Sequence, residues 1–328
     1  MKILVTGGYG FIGVNFIKYI ISETSYKIIN IDKLNYAGSI NKKLIKIKHK
    51  NYEFIKNDLM NINFILKLLK KHKPEFIVHF AAESHVDRSI NSPINFIDSN
   101  IYSTFNILEA LKMYAKGNDT KLIHFSTDEV YGDTYKNKQA SKENSVYNPS
   151  SPYSATKASS DLLVKAWSKT YGIQYNIINC VNNFGPYQNE EKMLPKIINC
   201  FITKKKIPVY GNGNQIREWI FVQDTAAAIL KIIKRFHKNK TFNIGSNIRM
   251  KNIDLIRVVF KAMKVNNLIN KNQNFQSFIN YVKDRPGHDK KYFLNSNKFK
   301  KYYKFKNSNF SKSLNKTIKF QLLKDQYD

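Results

Sequence analysis

Tyr153 and Lys157 stand four residues apart in the segment SPYSATKASSDLLVKAW. On a helix that spacing puts both side chains on one face. The ammonium can then lower the phenol from about 10 toward neutrality and make Tyr153 a usable general base. Upstream, HFSTDEVYGD ends an apolar run in Ser126 and Thr127 and then sets two acids, Asp128 and Glu129, side by side. Adjacent carboxylates repel, and at the mouth of an α/β sheet desolvation raises the cost further. One reading is a helix N-terminus, with Ser126 or Thr127 as cap and the acids at the positive end of the dipole. The other is a pair held as one charged and one neutral acid, the two states that an elimination needs.

The segment VTGGYGFIG carries Gly8-x-Gly10-x-x-Gly13 and also Gly7-x-x-Gly10-x-x-Gly13, between a first strand and a first helix. Such glycines permit a tight turn and let backbone N–H groups and the helix N-terminus approach a pyrophosphate. Asp32 ends the second strand 19 residues past Gly13. A carboxylate there accepts hydrogen bonds from ribose hydroxyls and repels a 2′-phosphate, so the expected cofactor is NAD rather than NADP, despite the adjacent Lys33. Asp58, closing YEFIKNDL, falls either near the adenine or in a salt bridge.

Positioning these residues requires alternating strands and helices. Strands are expected near 2–6, 27–31, 52–55, 76–80, 121–126 and 175–181, and helices near 11–22, 61–72, 94–116 and 152–171. That rhythm predicts right-handed βαβ units and an α/β, Rossmann-type, doubly wound parallel sheet. After residue 181 it breaks into shorter pieces separated by Gly, Pro and Asn, which marks a smaller C-terminal lobe. FVQDTAAAILKII and TFNIG return to the first domain as a helix and a strand. The expected division is 1–181 plus about 219–246 for the cofactor domain, and 182–218 with 247–328 for the lobe. The polar stretch 134–150 reads as a surface loop or a lid.

At 328 residues with two cysteines, Cys180 and Cys200, the chain needs no disulfide framework and shows no metal-ligand spacing, so a reducing compartment is expected and no metal. The start MKILVTGG leaves no room for a leader, and no apolar run approaches about 20 residues, so a cytoplasmic enzyme without membrane partners is expected. The net charge of +30 raises the question of nucleic acid, yet the lysines are scattered and no helix-turn-helix or zinc-finger pattern is present. A positive field instead favours a small substrate bearing phosphate.

Taken together, the blocks LVTGGYGFIG, DKLNYAG, HFAAESHVDRSI, HFSTDEVYGD, PSSPYSATKASSD, NNFGPYQ, GNGNQIREWIFVQD and DRPGHDKKY resemble, in order, the extended short-chain dehydrogenase/reductases and among them the dTDP-glucose 4,6-dehydratases. They span residues 1 to about 295. The Asp128–Glu129 pair after Thr127 is the most specific of them, since related sugar epimerases generally lack it. The resemblance implies a lyase that oxidises the sugar at C4, eliminates water across C5 and C6, and returns the hydride to C6. Tyr153, tuned by Lys157 and helped by Thr127, would take the C4 hydroxyl proton; Glu129 would be the C5 base and Asp128 the acid to the C6 oxygen. It further implies NAD contacts at Gly7, Gly10, Phe11, Ile12, Gly13, Asp32, Lys33, Leu34, Asn35, Asp58, Leu59, Phe80, Ala81, Ala82, Ser84, Ser99, Tyr153, Lys157 and Asn183. The nucleotide sugar would meet Ser84, Thr127, Asn182, Lys192, Met193, Pro208, Val209, Tyr210, Arg217, Asn252, Asp284, Arg285, Pro286, Gly287 and His288. Two arginines from distant segments suit a diphosphate, whose oxygens match the guanidinium fork.

A homodimer is implied too, built from apolar stripes: Ile97, Ile101, Phe105 and Leu108 on one helix, and Ala158, Leu162 and Ala166 on the other. The chain departs from the family pattern at Val181-Asn-Asn-Phe184-Gly, where two hydroxyls are lost, and in the closing NKTIKFQLLKDQYD. The rival readings are the same reaction on UDP-glucose, a nucleotide-sugar 4-epimerase or decarboxylase, and an idle NAD-sensing or nucleic-acid-binding module.

Overall fold

The computed structural model describes residues 1–45, 47–114, 119–136, 139–270 and 272–324. Runs apolar on both faces make buried parallel strands. Here β1 (Lys2–Thr6), β2 (Lys27–Asp32), β3 (Tyr52–Lys56), β4 (Phe76–His79), β5 (Lys121–Thr127), β6 (Tyr175–Cys180) and β10 (Lys240–Ile244) form one sheet in the order β10-β6-β5-β4-β1-β2-β3. Every pairing in it is parallel. The order reverses direction between β1 and β4, and a crevice opens at the carboxyl ends of strands flanking such a switch. The register pairs Thr6 with His79 and Thr127 with Cys180, so the residues that follow these strands share that edge.

Helices α1 (Phe11–Glu23) and α9 (Val222–Lys234) cover one face, with Phe16, Ile17, Ile229 and Phe242 in its core. Helices α3 (Ile62–His72), α6 (Ser103–Tyr114) and α7 (Pro152–Tyr171) cover the other through Leu68, Ile107, Leu111 and Val164. Smaller helices α2 (Tyr36–Leu44), α4 (Val86–Asn91) and α5 (Pro93–Phe96) line the cleft side. The start of α7 is fixed by Pro152 at its first turn and a reciprocal capping box between Ser151 and Ser154, and its end by Gly172 at φ 74°.

The expected single helix over 94–116 is interrupted by a π-helical turn at Ile97–Tyr102; residues 115 and 116 lie outside the described residues. A π turn inserts a residue and rotates the face that follows. Leu108 and Ala158, expected in the outward stripe, are buried in the chain's own core, while Ile94, Tyr102, Met113 and Leu162 are at least half exposed.

Beyond β6, the strands β7 (Asn182–Phe184), β9 (Ile216–Phe221) and β11 (Arg249–Lys251) form a second sheet, and β8 (Ile207–Tyr210) pairs with β12 (Ile279–Val282). Helices α8 (Met193–Ile202), α10 (Asn252–Val265) and α12 (Phe310–Leu323) enclose a separate core around Phe201, Trp219, Phe260 and Leu314. Helix α11 (Asn297–Tyr303) returns to the first body, where Phe299 and Tyr303 pack on Phe242 of β10. The expected loop at 134–150 is tied down over its described part: Ser141 N donates to Phe293 O at 2.7 Å, Asn148 N to Val130 O at 3.0 Å, and the Tyr147 ring packs on Tyr131. Residues 137 and 138 of it lie outside the described residues. Among the described residues no helix is long and apolar enough to cross a membrane.

Candidate active site

The turn after β1 is built so that only hydrogen fits at two positions. Gly7 has φ +68°, and a Cβ there would meet the Ala81 backbone at 2.6 Å; one on Gly13 would meet the Gly7 carbonyl at 2.4 Å. Gly10 heads α1 with no side-chain cap, which leaves the first N–H groups of the helix facing the cleft. Asp32 is buried and accepts from Tyr9 N at 2.9 Å and Leu34 N at 2.7 Å. Burial pushes its carboxyl up, while those N–H groups and Lys33 pull it down. Leu34 is held at φ 59°, a left-handed conformation costly for a branched side chain and typical of a ligand-binding turn. Lys33 reaches Asp58 at 3.7 Å, so Asp58 makes the salt bridge of one reading and also lines the cleft, as the other requires.

This turn opens into a cleft of about 760 Å³, which runs from Gly7, Phe11, Ile12 and Asp32 past Leu59, Phe80, Ala81, Ala82 and Ser99 to Tyr153 and Lys157. Its volume and its shape, a glycine cradle at one end and a carboxylate at the end of β2, fit a dinucleotide. Asn35 also lines it and donates to Glu83 at 2.7 Å, and Asn183 is fixed by Thr225, which donates to its Oδ1 at 2.6 Å. Among the described residues no group of three or more His, Cys, Asp or Glu is placed to hold a metal ion.

Thr127 ends β5 with its hydroxyl accepting from Glu129 N at 3.3 Å, and Asp128–Tyr131 makes one 3₁₀ turn. Thr127 does cap a short turn, as the helix-terminus reading expects, and the acids of that turn also line the cleft. The two differ in environment. Asp128 is buried, and its Oδ2 has no hydrogen-bond partner among the described residues. Burial, then Glu129 and Glu218, push its carboxyl well above the usual range. Glu129 is also raised by burial, but Arg217, Arg285 and Lys192 pull it back, and Tyr292 donates to its Oε2 at 3.3 Å.

Tyr153 and Lys157 sit one turn apart on α7 beneath these acids. Lys157 is buried and donates to Phe125 O at 2.7 Å; burial lowers its ammonium to about 8 against the pull of Asp161. The expectation that Lys157 brings the phenol toward neutrality is not what this arrangement does. Burial and then Glu129 raise Tyr153 above its ordinary value, with the Thr127 hydroxyl opposing them. The phenol stands among carboxylates while the ammonium is turned toward the β5 backbone.

Of the smaller lobe's expected residues, Asn182 and Lys192 line the cleft, Arg217 and Arg285 act on Glu129 from beside it, and Met193, Pro208–Tyr210, Asn252 and the rest of the 284–288 segment lie outside the lining. Lys192 donates to Ser84 O at 2.8 Å, and Asn182 lines the cleft. Arg285 pairs with Asp87 at 2.9 Å, and Tyr210 donates to the same carboxylate at 3.3 Å. His288 lies 2.5 Å from Asp284 Oδ1, with Gln215 donating to Asp284 at 3.0 Å. Arg217 is buried, donates to Asp289 O at 2.9 Å and stacks on Tyr292. Gly287 turns the DRPGH segment at φ +63°. Asn252, whose buried Oδ1 has no hydrogen-bond partner among the described residues, starts α10 beside Gln215. Val209 and Met193 point into the lobe's core, so a ligand along β8 would meet the Pro208–Tyr210 backbone rather than the Val209 side chain.

Sequence reasoning missed a clasp over the cleft. Tyr36 donates to Glu191 at 2.6 Å, Arg88 reaches Glu191 at 2.8 Å, and the Arg88 guanidinium lies 3.8 Å over the Tyr36 ring. It also missed Tyr292 and Asp289, 2.7 Å apart behind Glu129. All of these fall in or beside the quoted blocks, but residues of short helices and loops carry no periodicity to announce partners far along the chain.

Residues 4–317 match the family model described as GDP-mannose 4,6 dehydratase. The chain is 42% identical over 316 residues to a dTDP-glucose 4,6-dehydratase of Escherichia coli, covering 92% of this chain and 87% of that one. Among solved structures, DesIV, the dTDP-glucose 4,6-dehydratase of Streptomyces venezuelae with NAD and TDP bound, superposes with a TM-score of 0.88 at 31% identity, covering 98% of this chain and 96% of the other. The dTDP-glucose 4,6-dehydratase of Bacillus anthracis in complex with NAD gives 0.88 at 35% identity, covering 99% and 98%.

Proposed function

The chain belongs to the nucleotide-sugar 4,6-dehydratase family, and we infer from that membership and its cleft that it is a hydro-lyase converting dTDP-glucose to dTDP-4-keto-6-deoxyglucose with NAD. The observation that carries the reading is the unequal acid pair: one buried carboxyl with a free oxygen and one facing two arginines and a lysine. When bound, NAD takes the hydride from C4 and later gives it back at C6. Gly7, Gly10, Gly13 and Asp32 would hold it, with Leu34, Asn35, Asp58, Leu59, Phe80–Ala82, Ser84, Ser99 and Asn183 completing the walls.

Tyr153, in its phenolate form, takes the proton of the C4 hydroxyl and becomes the neutral phenol that its surroundings favour, with the Thr127 hydroxyl between it and the acids. The ketone formed at C4 acidifies the C5 proton. Glu129 removes that proton, its charge supported by Arg217 and Arg285. Asp128, neutral because it is buried, gives its proton to the departing C6 oxygen, and water leaves. Arg217 and Arg285 with Asn252 and the Asp284–His288 segment would hold the diphosphate and ribose, Pro208–Tyr210 the base, and Ser84, Asn182 and Lys192–Met193 the sugar.

This division of labour supports a cofactor domain of 1–181 with about 219–246 and a lobe of 182–218 with 247–328, α11 and the end of β9 excepted in their packing. The exposed apolar residues on α5, α6, α7 and the π turn support a homodimer, and a chain working on a soluble substrate with two free thiols supports a cytoplasmic place. The test is incubation of the NAD-loaded protein with dTDP-glucose and with UDP-glucose separately, following a 4-keto sugar and the loss of one water by mass. Turnover of dTDP-glucose with little on UDP-glucose is expected. Preference for UDP-glucose, or a C4 epimer as product, would refute the reading.

A further inference from the structure

Beneath the Tyr153–Lys157 pair lies a buried polar group that the reaction above does not use. Asp161 follows Lys157 by one helical turn on α7 and is wholly buried. Its Oδ2 accepts from Ser126 Oγ at 2.8 Å and from Tyr147 OH at 3.0 Å, and its Oδ1 lies 3.2 Å from His124 Nε2. Its hydroxyl donors come from β5 and from the strapped 139–150 segment, so the carboxylate ties α7 to the strand whose end carries Thr127. A buried charge is tolerated only where it is paired and hydrogen-bonded. Asp161 has the hydroxyls, and Lys157, on the same face of the helix, is the buried cation that needs an opposite charge.

Apart from Glu129, which faces Tyr153, the groups around this pair are neutral or of the wrong sign to serve. On β5, burial and Lys157 hold His124 below its ordinary value, so it is an uncharged imidazole. On β4, burial, then His124 and Lys157, hold His79 well below its ordinary value, and it bonds Thr6 and Thr104. Burial raises Tyr131 on the 3₁₀ turn, Tyr147 on the strap, and Tyr175 and Cys180 on β6, so all four stay protonated. The π turn offers the Asn100 carbonyl to Ser160. On the outer side of α7, Lys165 lies over the Tyr147 ring. Asp128 and Glu129 face Tyr153 from above.

We infer that Asp161 is a positioning residue of the C4 oxidation: it is the counter-charge that keeps Lys157 cationic in the core and the anchor that holds the end of β5 against α7. The inference rests on the reading of Tyr153 and Lys157 as the proton-handling pair. An opposite charge one helical turn away shifts a buried group by on the order of one pH unit or more. Replacing Asp161 by Asn therefore moves the loss of the Lys157 proton toward acid, and it moves Tyr153 the same way, because Asp161 is one of the charges that raise the phenol.

The experiment is the single-turnover rise at 340 nm on mixing NAD-loaded enzyme with dTDP-glucose, measured across pH. In Asp161→Asn both limbs of the rate profile are expected to move toward acid by about one pH unit. Asp161→Glu, which keeps the charge, is expected to leave the limbs in place even where its rate falls. A rate lowered equally at all pH in Asp161→Asn, with the limbs unmoved, overturns the inference, and so does a limb that moves in Asp161→Glu, the arm that decides if the Asn variant does not fold. Tyr153→Phe and Lys157→Met separate the two levels. If they keep the 340 nm rise, the reading of the pair fails; if they lose it while Asp161→Asn moves nothing, only the role of Asp161 does.

Discussion

Asp128→Asn exchanges a buried neutral acid for an amide of the same shape, and the structure sets both its thermodynamic and its kinetic effect. The carboxyl is held well above its ordinary value by burial and by Glu129, so in the folded chain it stays protonated over a range where the unfolded chain, near 3.9, has lost its proton. A group with a raised folded pKa gives its stability fully below the unfolded pKa and loses it as pH rises toward the folded one. The parent is therefore penalised by about 1.4 kcal/mol for each pH unit from about pH 4 upward, until Asp128 ionises in place. The Asn variant escapes that penalty. With an unfolding entropy of roughly 0.7 kcal/mol/K for a chain of this length, the melting temperature of the variant should gain about 2 °C on the parent per pH unit. Matched thermal scans of the cofactor-free proteins at pH 4.5 and above read the difference directly. In turnover the same variant should still form NADH and exchange the C5 proton, but elimination should slow by about 10² to 10⁴. A melting difference that is flat with pH would mean that Asp128 is ionised in the fold, and the acid role would fall with it.

Glu129→Gln should permit C4 oxidation, so that absorbance at 340 nm accumulates, while C5 exchange and water loss nearly stop; a variant that forms no NADH with substrate bound contradicts the assignment. Tyr153→Phe should give no 340 nm rise at all, and one as fast as the parent's would remove Tyr153 from the oxidation step. Asp32→Asn should weaken NAD⁺ binding and narrow its preference over NADP⁺, since it removes the acceptor at the end of β2; unchanged affinities by calorimetry would count against the ribose contact. Leu162→Glu with Met113→Glu should give a monomer by sedimentation at micromolar concentration, because both residues are more than half exposed on neighbouring helices; a parent that is already monomeric would sink the dimer.

The parallel sheet was legible because its strands are apolar on both faces and its helices follow at regular intervals. The return of TFNIG to the first domain as a strand was legible for the same reason, though its place beside β6 was not. The turn at Gly7–Gly13 was readable because a close backbone approach admits only glycine there. What could not be read was anything set by contacts between distant loops. The π turn at Ile97–Tyr102 leaves no mark in residue type, yet it shifts which residues of α6 face outward. The clasp of Tyr36, Arg88 and Glu191 joins three segments far apart in the chain. The upward displacement of Tyr153 follows from the carboxylates and burial around it, which the spacing to Lys157 alone does not contain.

The account stands most directly on where the hydrogen from C4 goes. dTDP-glucose labelled with deuterium at C4, incubated with the NAD-loaded enzyme in ordinary water, should give a 4-keto-6-deoxy sugar lighter by one water, with the deuterium recovered at C6 and a solvent proton at C5. Deuterium lost to the medium, retained at C4 in an epimer, or trapped in released reduced cofactor would contradict it.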